Sequence, residues 1–385
     1  MLAAITVGIW AMIFMTALMR GMVDDMLING IRSMPGEVQI HHPLYRDDPS
    51  INNSIPEPTS NLLQALQRPE VAAWTSRVKV PAVISSERDS RGIVLLGVEP
   101  ESEIEVSFDA DSIVEGRFLE SADDRGLVIG RKMAEHLETR LGKRVVVMSQ
   151  DPDNNIADRG FRIVGIYKAK LASLEEMYVY AGRDTVQKML NIQGQVSEIV
   201  ATGDDYRYVD SWLPIIKQAA GDELETMPWY EANRYLGSMM AMMDGFVLVW
   251  VFIIFLALSF GLVNTLVMAV FERIREIGLM LALGMRPGMI LYQVLMESFM
   301  LLSIGLLLGN ALAVGTIIPL QSGIDISIVA EGMEMMGTSS MLYPALQLSD
   351  MVLANIIVII LGLLTSILPA WRAAGLDPIR ALNTN

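Results

Sequence analysis

Residues 261–288 read GLVNTLVMAVFERIREIGLMLALGMRPG, and this stretch decides the fold. An apolar run that begins near Phe246 ends inside it. A compact group of charges follows at Glu272, Arg273, Arg275 and Glu276, and the chain turns at Gly284 and Pro287 into a second apolar run. That order predicts a membrane hairpin with a charged cap. Ile274, Ile277, Leu279, Met280 and Leu283 supply an apolar helical face within the cap, so a short amphipathic helix at the membrane surface is expected. Two readings fit such a helix: a contact for a cytoplasmic partner, or an ordinary loop between spans.

Composition agrees with a membrane protein. A hydrophobic fraction of 52% and a mean hydropathy of +0.40 over 385 residues exceed what one soluble core requires. Of the 44 acids and 29 bases, 35 and 24 precede Asp244, so most of the −15 net charge lies in that front part. An acidic front without a basic patch argues against nucleic-acid binding and against adhesion to anionic lipid headgroups. Cysteine is absent, which removes disulfides, thiolate nucleophiles and cysteine metal sites.

Outward from the hairpin, residues 2–19 form an uncharged apolar run closed by Arg20, just long enough at about 1.5 Å per residue to cross a hydrocarbon core. The run lacks the basic start and small-residue cleavage site of a signal peptide. Its helical pattern continues to Ser33, so residues 1–34 are expected to be a first span plus an extension. Residues 35–230 alternate short strand and helix patterns and predict a mixed α/β domain. Within it, helices are expected at 61–67, 131–140, 184–190 and 208–219. Strands are expected at 37–42, 77–85, 93–98, 144–149, 161–167, 177–180 and 197–202, with 144–149 and 161–167 forming a hairpin around 151–160.

Residues 231–243 predict a helix that runs unbroken into a span at 245–270 and pairs with the extension after Arg20 as a stalk. Further spans are expected at 289–320 and 351–370, the last anchored by Trp371 and Arg372, so residues 231–385 form the stalk helix and membrane domain. Short-loop charge sets the orientation. The cap carries three arginines and the C-terminal tail two, against none in the loop 321–350, so cap and tail are expected in the cytoplasm and the large α/β domain on the other side. Four spans then put both termini inside.

Catalytic signatures are missing. No G-x-x-x-x-G-K-[ST], dinucleotide glycine fingerprint, G-x-S-x-G or H-E-x-x-H occurs, so the chain itself is not expected to be an enzyme. Neighbouring His41 and His42 would point to opposite faces of a strand, and no metal site is expected. Glu297 is the lone acid within an apolar span; with no partner acid or histidine for a proton relay, a polar contact with Asn264 is expected. Methionines gather where the stalk meets the membrane, at Met22, Met26, Met239, Met240 and Met243. They suit either a surface for varied apolar cargo or plain helix pairing.

Asn264 to Gly284, with its Glu-Arg pair and Glu-Ile-Gly triplet, resembles the signature of the FtsX-like permease family. The stretch LPAWRAAGLDPIRAL at 368–382 is similar to that family's second signature. The layout of residues 35–230 resembles the extracytoplasmic domain of the MacB exporters and Lol lipoprotein-release permeases, most of all in GRFLESADDRGLVIGRKMAEHLETRLGKRVVVM. The resemblance implies four transmembrane helices with the α/β domain inserted between the first and second, as the transmembrane subunit of a type VII ABC transporter. It also implies a basic amphipathic segment ahead of the first span, where this sequence starts within the span.

On that likeness, Glu272, Arg273, Arg275, Glu276, Ile277, Gly278, Leu279, Ala282, Gly284 and Met285 would form a coupling helix on a separate ABC ATPase dimer, which would hold the ATP and magnesium. A second permease chain is implied, identical or related, and Gly261, Gly305 and Gly309 are small enough for close helix approach between copies. An inner-membrane location follows, with the large domain in the periplasm and a periplasmic carrier or adaptor beside it. Lipoprotein release and export of a periplasmic substrate stay open, as does a non-transporting receptor that regulates a cell-wall hydrolase. The polar tip at 151–160 differs from the apolar hook by which a Lol permease recruits its carrier.

Overall fold

A computed structural model describes residues 2–33, 36–169, 172–325 and 341–374. By contact density the described residues within Met1–Asp25, Met240–Ser327 and Met341–Asn385 form one compact unit, and those within Met26–Met239 form another. The chain enters the second unit along helix α1 (Leu2–Ser33) and Gly36, whose φ of +61° turns it into strand β1 (Val38–His41).

The α/β unit continues through β2 (Ile55–Pro56), α2 (Ser60–Leu66), β3 (Ala73–Ser85), β4 (Ser90–Val98) and α3 (Pro100–Val106). Next come β5 (Ile113–Gly116), β6 (Gly126–Gly130), α4 (Arg131–His136), β7 (Arg144–Gln150) and β8 (Ile156–Tyr167). It closes with α5 (Ala172–Met177), β9 (Tyr178–Gly182), α6 (Arg183–Leu190), β10 (Gln195–Val196), β11 (Glu198–Thr202), α7 (Val209–Ala220), β12 (Glu225–Pro228) and α8 (Trp229–Ala232). Ten strands make one mixed sheet in the order β12-β1-β11-β3-β4-β9-β6-β8-β5, with β7 pairing β3 and β8.

The long strand β3 joins the two halves of this sheet. Residues 73–77 pair with β11, and residues 78–85 pair with β4. Arg77 sits at the changeover, fully buried, its guanidinium donating two 2.8 Å hydrogen bonds to Glu103 and one to Ser107, with Glu198 at 3.5 Å. One face of the β4 side is filled by aliphatics such as Val78, Leu95, Leu127 and Val179. Another cluster stacks Phe108 on Phe118 and edges Tyr167 and Tyr180 against Phe108.

Several boundaries differ from the sequence reading, each for a local reason. The helix expected over 131–140 stops at His136, where Leu137 closes the turn and Glu138 takes a φ of +46°. The expected loop 151–160 is only residues 151–155, because β8 starts at Ile156 and its outer end is a half-exposed arm with no apolar run to mark it. The stalk helix does not run from 231: Asn233 leaves helical geometry, and its side-chain oxygen accepts from the amides of Tyr235 and Leu236, capping a new helix, α9 (Arg234–Glu272). Within the α/β unit, α9 packs Leu236 on Gly30 of α1, whose Leu27 and Ile31 are buried.

The other unit holds most of α1 and α9, then α10 (Ile274–Ala282), α11 (Pro287–Leu320) and α12 (Leu348–Ala374). Among the described residues four helices are long and apolar enough to cross a membrane. Gly305 and Gly309 of α11 are buried against α1; a Cβ on either would fall 2.4 Å and 2.8 Å from Ile5 and Ile9. They serve packing inside the chain and not an interface between copies, whereas a Cβ on Gly261 would find open space. Trp10 donates to Thr316 at 2.9 Å, and Asn310 and Asn355 exchange hydrogen bonds between α11 and α12.

At one end of this unit the segment before α12 lies on α1. Ala345 donates its amide to the Ala17 carbonyl at 2.9 Å, and Arg20 grips Asp350 with two bonds of 2.8 and 2.9 Å. Gly21 makes room, since a Cβ there would stand 2.0 Å from the Tyr343 carbonyl oxygen. The remainder of the expected loop, 326–340, and the end of the second signature, 375–382, lie outside the described residues.

Candidate functional site

Helix α10 is nine residues long and joins α9 to α11 through two tight connections. At its start, Arg273 alone separates it from α9, and the Ile277 amide bonds the Arg273 carbonyl at 3.0 Å. At its end, Gly284 takes a φ of +92°, the Leu283 amide bonds the Leu279 carbonyl and the Met285 amide reaches back to the Met280 carbonyl. The second is the 6→1 bond of a Schellman-type turn, which satisfies a carbonyl the helix end would leave open. Arg286 then caps α11, and Pro287 occupies its first turn, where its missing amide costs nothing.

The two sides of α10 differ. Ile277, 6% exposed, packs with Ile290, Val294 and Ala370, and Met280, Met285, Leu291 and Leu295 close around them. Burying Ile277 contributes about 1.5–3 kcal/mol to holding α10 on the membrane unit. Ile277 and Met285 therefore grip the chain's own core. Glu272, Arg275, Glu276, Leu279, Ala282 and Leu283 lie exposed on the remaining surface, Leu283 at 79%. Tyr292 on the second turn of α11, which sequence reasoning missed, is also exposed.

Glu297 does not meet Asn264, which is exposed; both its carboxylate oxygens stand 3.3 Å from Nη1 of Arg273. The carboxylate finds a charge at the helix junction, a stronger partner than an amide. Of the methionines, Met22 and Met26 are half-buried on α1 and Met239 half-buried on α9, while Met240 is exposed. The Met243 side chain lies outside the described residues.

The α/β unit holds a cleft of about 590 Å³ lined by Leu66, Trp74, Ser76, Glu99, Ser102 and Arg183, among others. Arg183 donates to Ser76 at 2.8 Å and reaches Glu99 at 3.4 Å. Partial burial pushes the Glu99 carboxyl up, against the pull of Arg183. His41 is buried beside Glu225 and His42 is half-exposed; among the described residues no group of three metal-ligating side chains comes together.

A family model described as the MacB-like periplasmic core domain matches residues 1–211, and one described as the FtsX-like permease C-terminal matches residues 248–378. An uncharacterised ABC transporter permease of Methanocaldococcus jannaschii is 28% identical over 275 residues, which are 70% of this chain and 65% of that protein. The lipoprotein-releasing system transmembrane protein LolC of Neisseria meningitidis is 22% identical over 298 residues, 74% of this chain and 69% of its own. The chain thus spans about two thirds of the length of these curated relatives. Among solved structures, the periplasmic region of MacB from Actinobacillus actinomycetemcomitans aligns at 15% identity over 57% of this chain and 97% of its own, with a TM-score of 0.38.

Proposed function

The chain belongs to the MacB-like permease family, a MacB-like periplasmic core domain followed by an FtsX-like permease domain, and from that premise we propose that it is the membrane subunit through which an ABC ATPase moves an outer domain. The observation that carries the reading is the two-sided build of α10: one side locked into the membrane unit by Ile277, Met280 and Met285, the other presenting Glu272, Arg275, Glu276, Leu279 and Leu283. A short helix held that firmly passes a push on its exposed side to α9 and α11 with little loss. Glu276 and its neighbours would hold the ATPase by charge while Leu279 and Leu283 fill an apolar groove on it.

ATP and magnesium would reside in the ATPase pair, two permease chains would face each other, and the α/β unit would work in the periplasm on the outer side of the inner membrane. Work delivered there need not carry cargo through the bilayer. The test is turnover of the cognate ABC ATPase reconstituted with the chain in proteoliposomes. Glu276→Lys and Leu283→Asp should each lower stimulated turnover about tenfold or more, as the loss of an interface anchor does. Unchanged stimulation in both would refute the assignment of α10.

For cargo, we propose lipoprotein release or export of a periplasmic substrate, with Met22, Met26, Met239 and Met240 as the side chains to probe. Photo-crosslinking from Met22 and Met239 in native membranes, followed by mass spectrometry, separates the branches. Adducts with acylated proteins support release, and adducts with soluble peptides support export. Capture of a wall hydrolase alone would replace both with a regulatory receptor.

A further inference from the structure

The junction between α9 and α10 carries a contact that the docking role of α10 does not explain. Arg273 stands alone between the two helices, and its guanidinium turns back onto Glu297, 24 residues ahead on α11. Both Glu297 oxygens are 3.3 Å from the same Nη1, so the carboxylate brackets a single guanidinium nitrogen. Position explains why a charge is tolerated there. Glu297 lies about 15 Å along α11 from Pro287, and the 34 residues of α11 rise about 51 Å against a hydrocarbon core of about 30 Å. The pair therefore falls near the membrane boundary, where an ion pair counts for more than in open water.

We propose that Arg273 is a positioning residue, paired to Glu297 so that the start of α10 moves with α11 instead of swinging with α9. This rests on α10 being the ATPase contact. Two other attachments, the Ile277 cluster and the Gly284 turn, hold the middle and end of α10, and this pair holds the residue just ahead of its first turn. Without the pair, a push on α10 is absorbed by rotation at the single-residue junction before it reaches α11. Arg273 thus leaves the set of direct ATPase contacts, and Glu297 enters the machinery without touching the partner.

The experiment uses the full chain with its ABC ATPase in proteoliposomes and reads two quantities, co-purification of the ATPase and stimulated turnover. Glu297→Gln and Arg273→Gln should each keep co-purification and lower stimulated turnover about fivefold, the worth of one such ion pair. The exchanged pair Arg273→Glu with Glu297→Arg should recover most of the loss, which a contact with the ATPase would not. Wild-type turnover in both single variants overturns the proposal and leaves the docking reading standing. Impaired singles without recovery in the exchanged pair also overturn it and return Arg273 to the ATPase surface. Failure of the wild-type chain to retain the ATPase refutes the docking reading itself.

Discussion

Arg77 shows how much one side chain can hold. It is 0% exposed at the point where β3 passes from one half of the sheet to the other, and it is neutralised by Glu103 and Glu198. Breaking a buried pair leaves an uncompensated charge in low dielectric, so Arg77→Met should cost about 3–5 kcal/mol. Adding Glu103→Met should recover much of that loss, read as the thermal midpoint of the protein in detergent. Glu198 sets a pH dependence. Burial alone would raise its carboxyl, but Lys79 and Arg77 outweigh burial and hold it below the ordinary carboxylate range. A depressed folded value stabilises the fold above the unfolded value, near about 4.3, and gives that stability up as pH falls through the folded value. Acid titration should therefore weaken the α/β unit below about pH 4.3, and Glu198→Gln should lower neutral stability while flattening that slope. None of this is legible in the sequence, where Arg77 is only the first residue of an expected strand and its two acids lie 26 and 121 residues away.

At the scale of elements, glycines separate contacts made inside the chain from surfaces left open. A Cβ at Gly305 would strike Ile5, while a Cβ at Gly261 would find open space. Gly305→Leu should lower the melting temperature of the detergent-solubilised chain, and Gly261→Leu should leave it unchanged. Gly21 lets residues 343–345 lie on α1, so Gly21→Ala should lift that segment, seen as new cleavage between 341 and 347 by a non-specific protease. Gly284 is needed for its backbone and not for space. Its alanine variant meets no atom but must hold a left-handed conformation, costing about 1 kcal/mol and loosening the end of α10. The sequence showed these elements unevenly. The long apolar helices and the α10 cap stood out by length and charge spacing. By contrast α3, with PESEIEV, and β6, with five residues, carry too few periodic positions to be seen, and β12 ends in proline.

For the whole molecule, orientation is the testable statement. The natural absence of cysteine allows single reporters without background. A cysteine at Ser60, in the α/β unit, should react with a membrane-impermeant maleimide on intact spheroplasts, and one at Ala282 on α10 only after permeabilisation. Reaction of both from outside would reverse the topology. What the sequence determined by itself was the number and order of apolar helices, the charged cap between two of them, the acidic α/β block and the family likeness. Each is written in runs of neighbouring residues, where length against bilayer thickness and the placing of arginines need no knowledge of contacts. Only the tertiary structure decided which side of α10 is anchored, that Glu297 answers Arg273, that Gly305 and Gly309 are spent within the chain, and that Arg20 binds Asp350 across 330 residues. Those outcomes depend on which distant side chains packing brings within a few ångströms of one another, and no local period or composition encodes that.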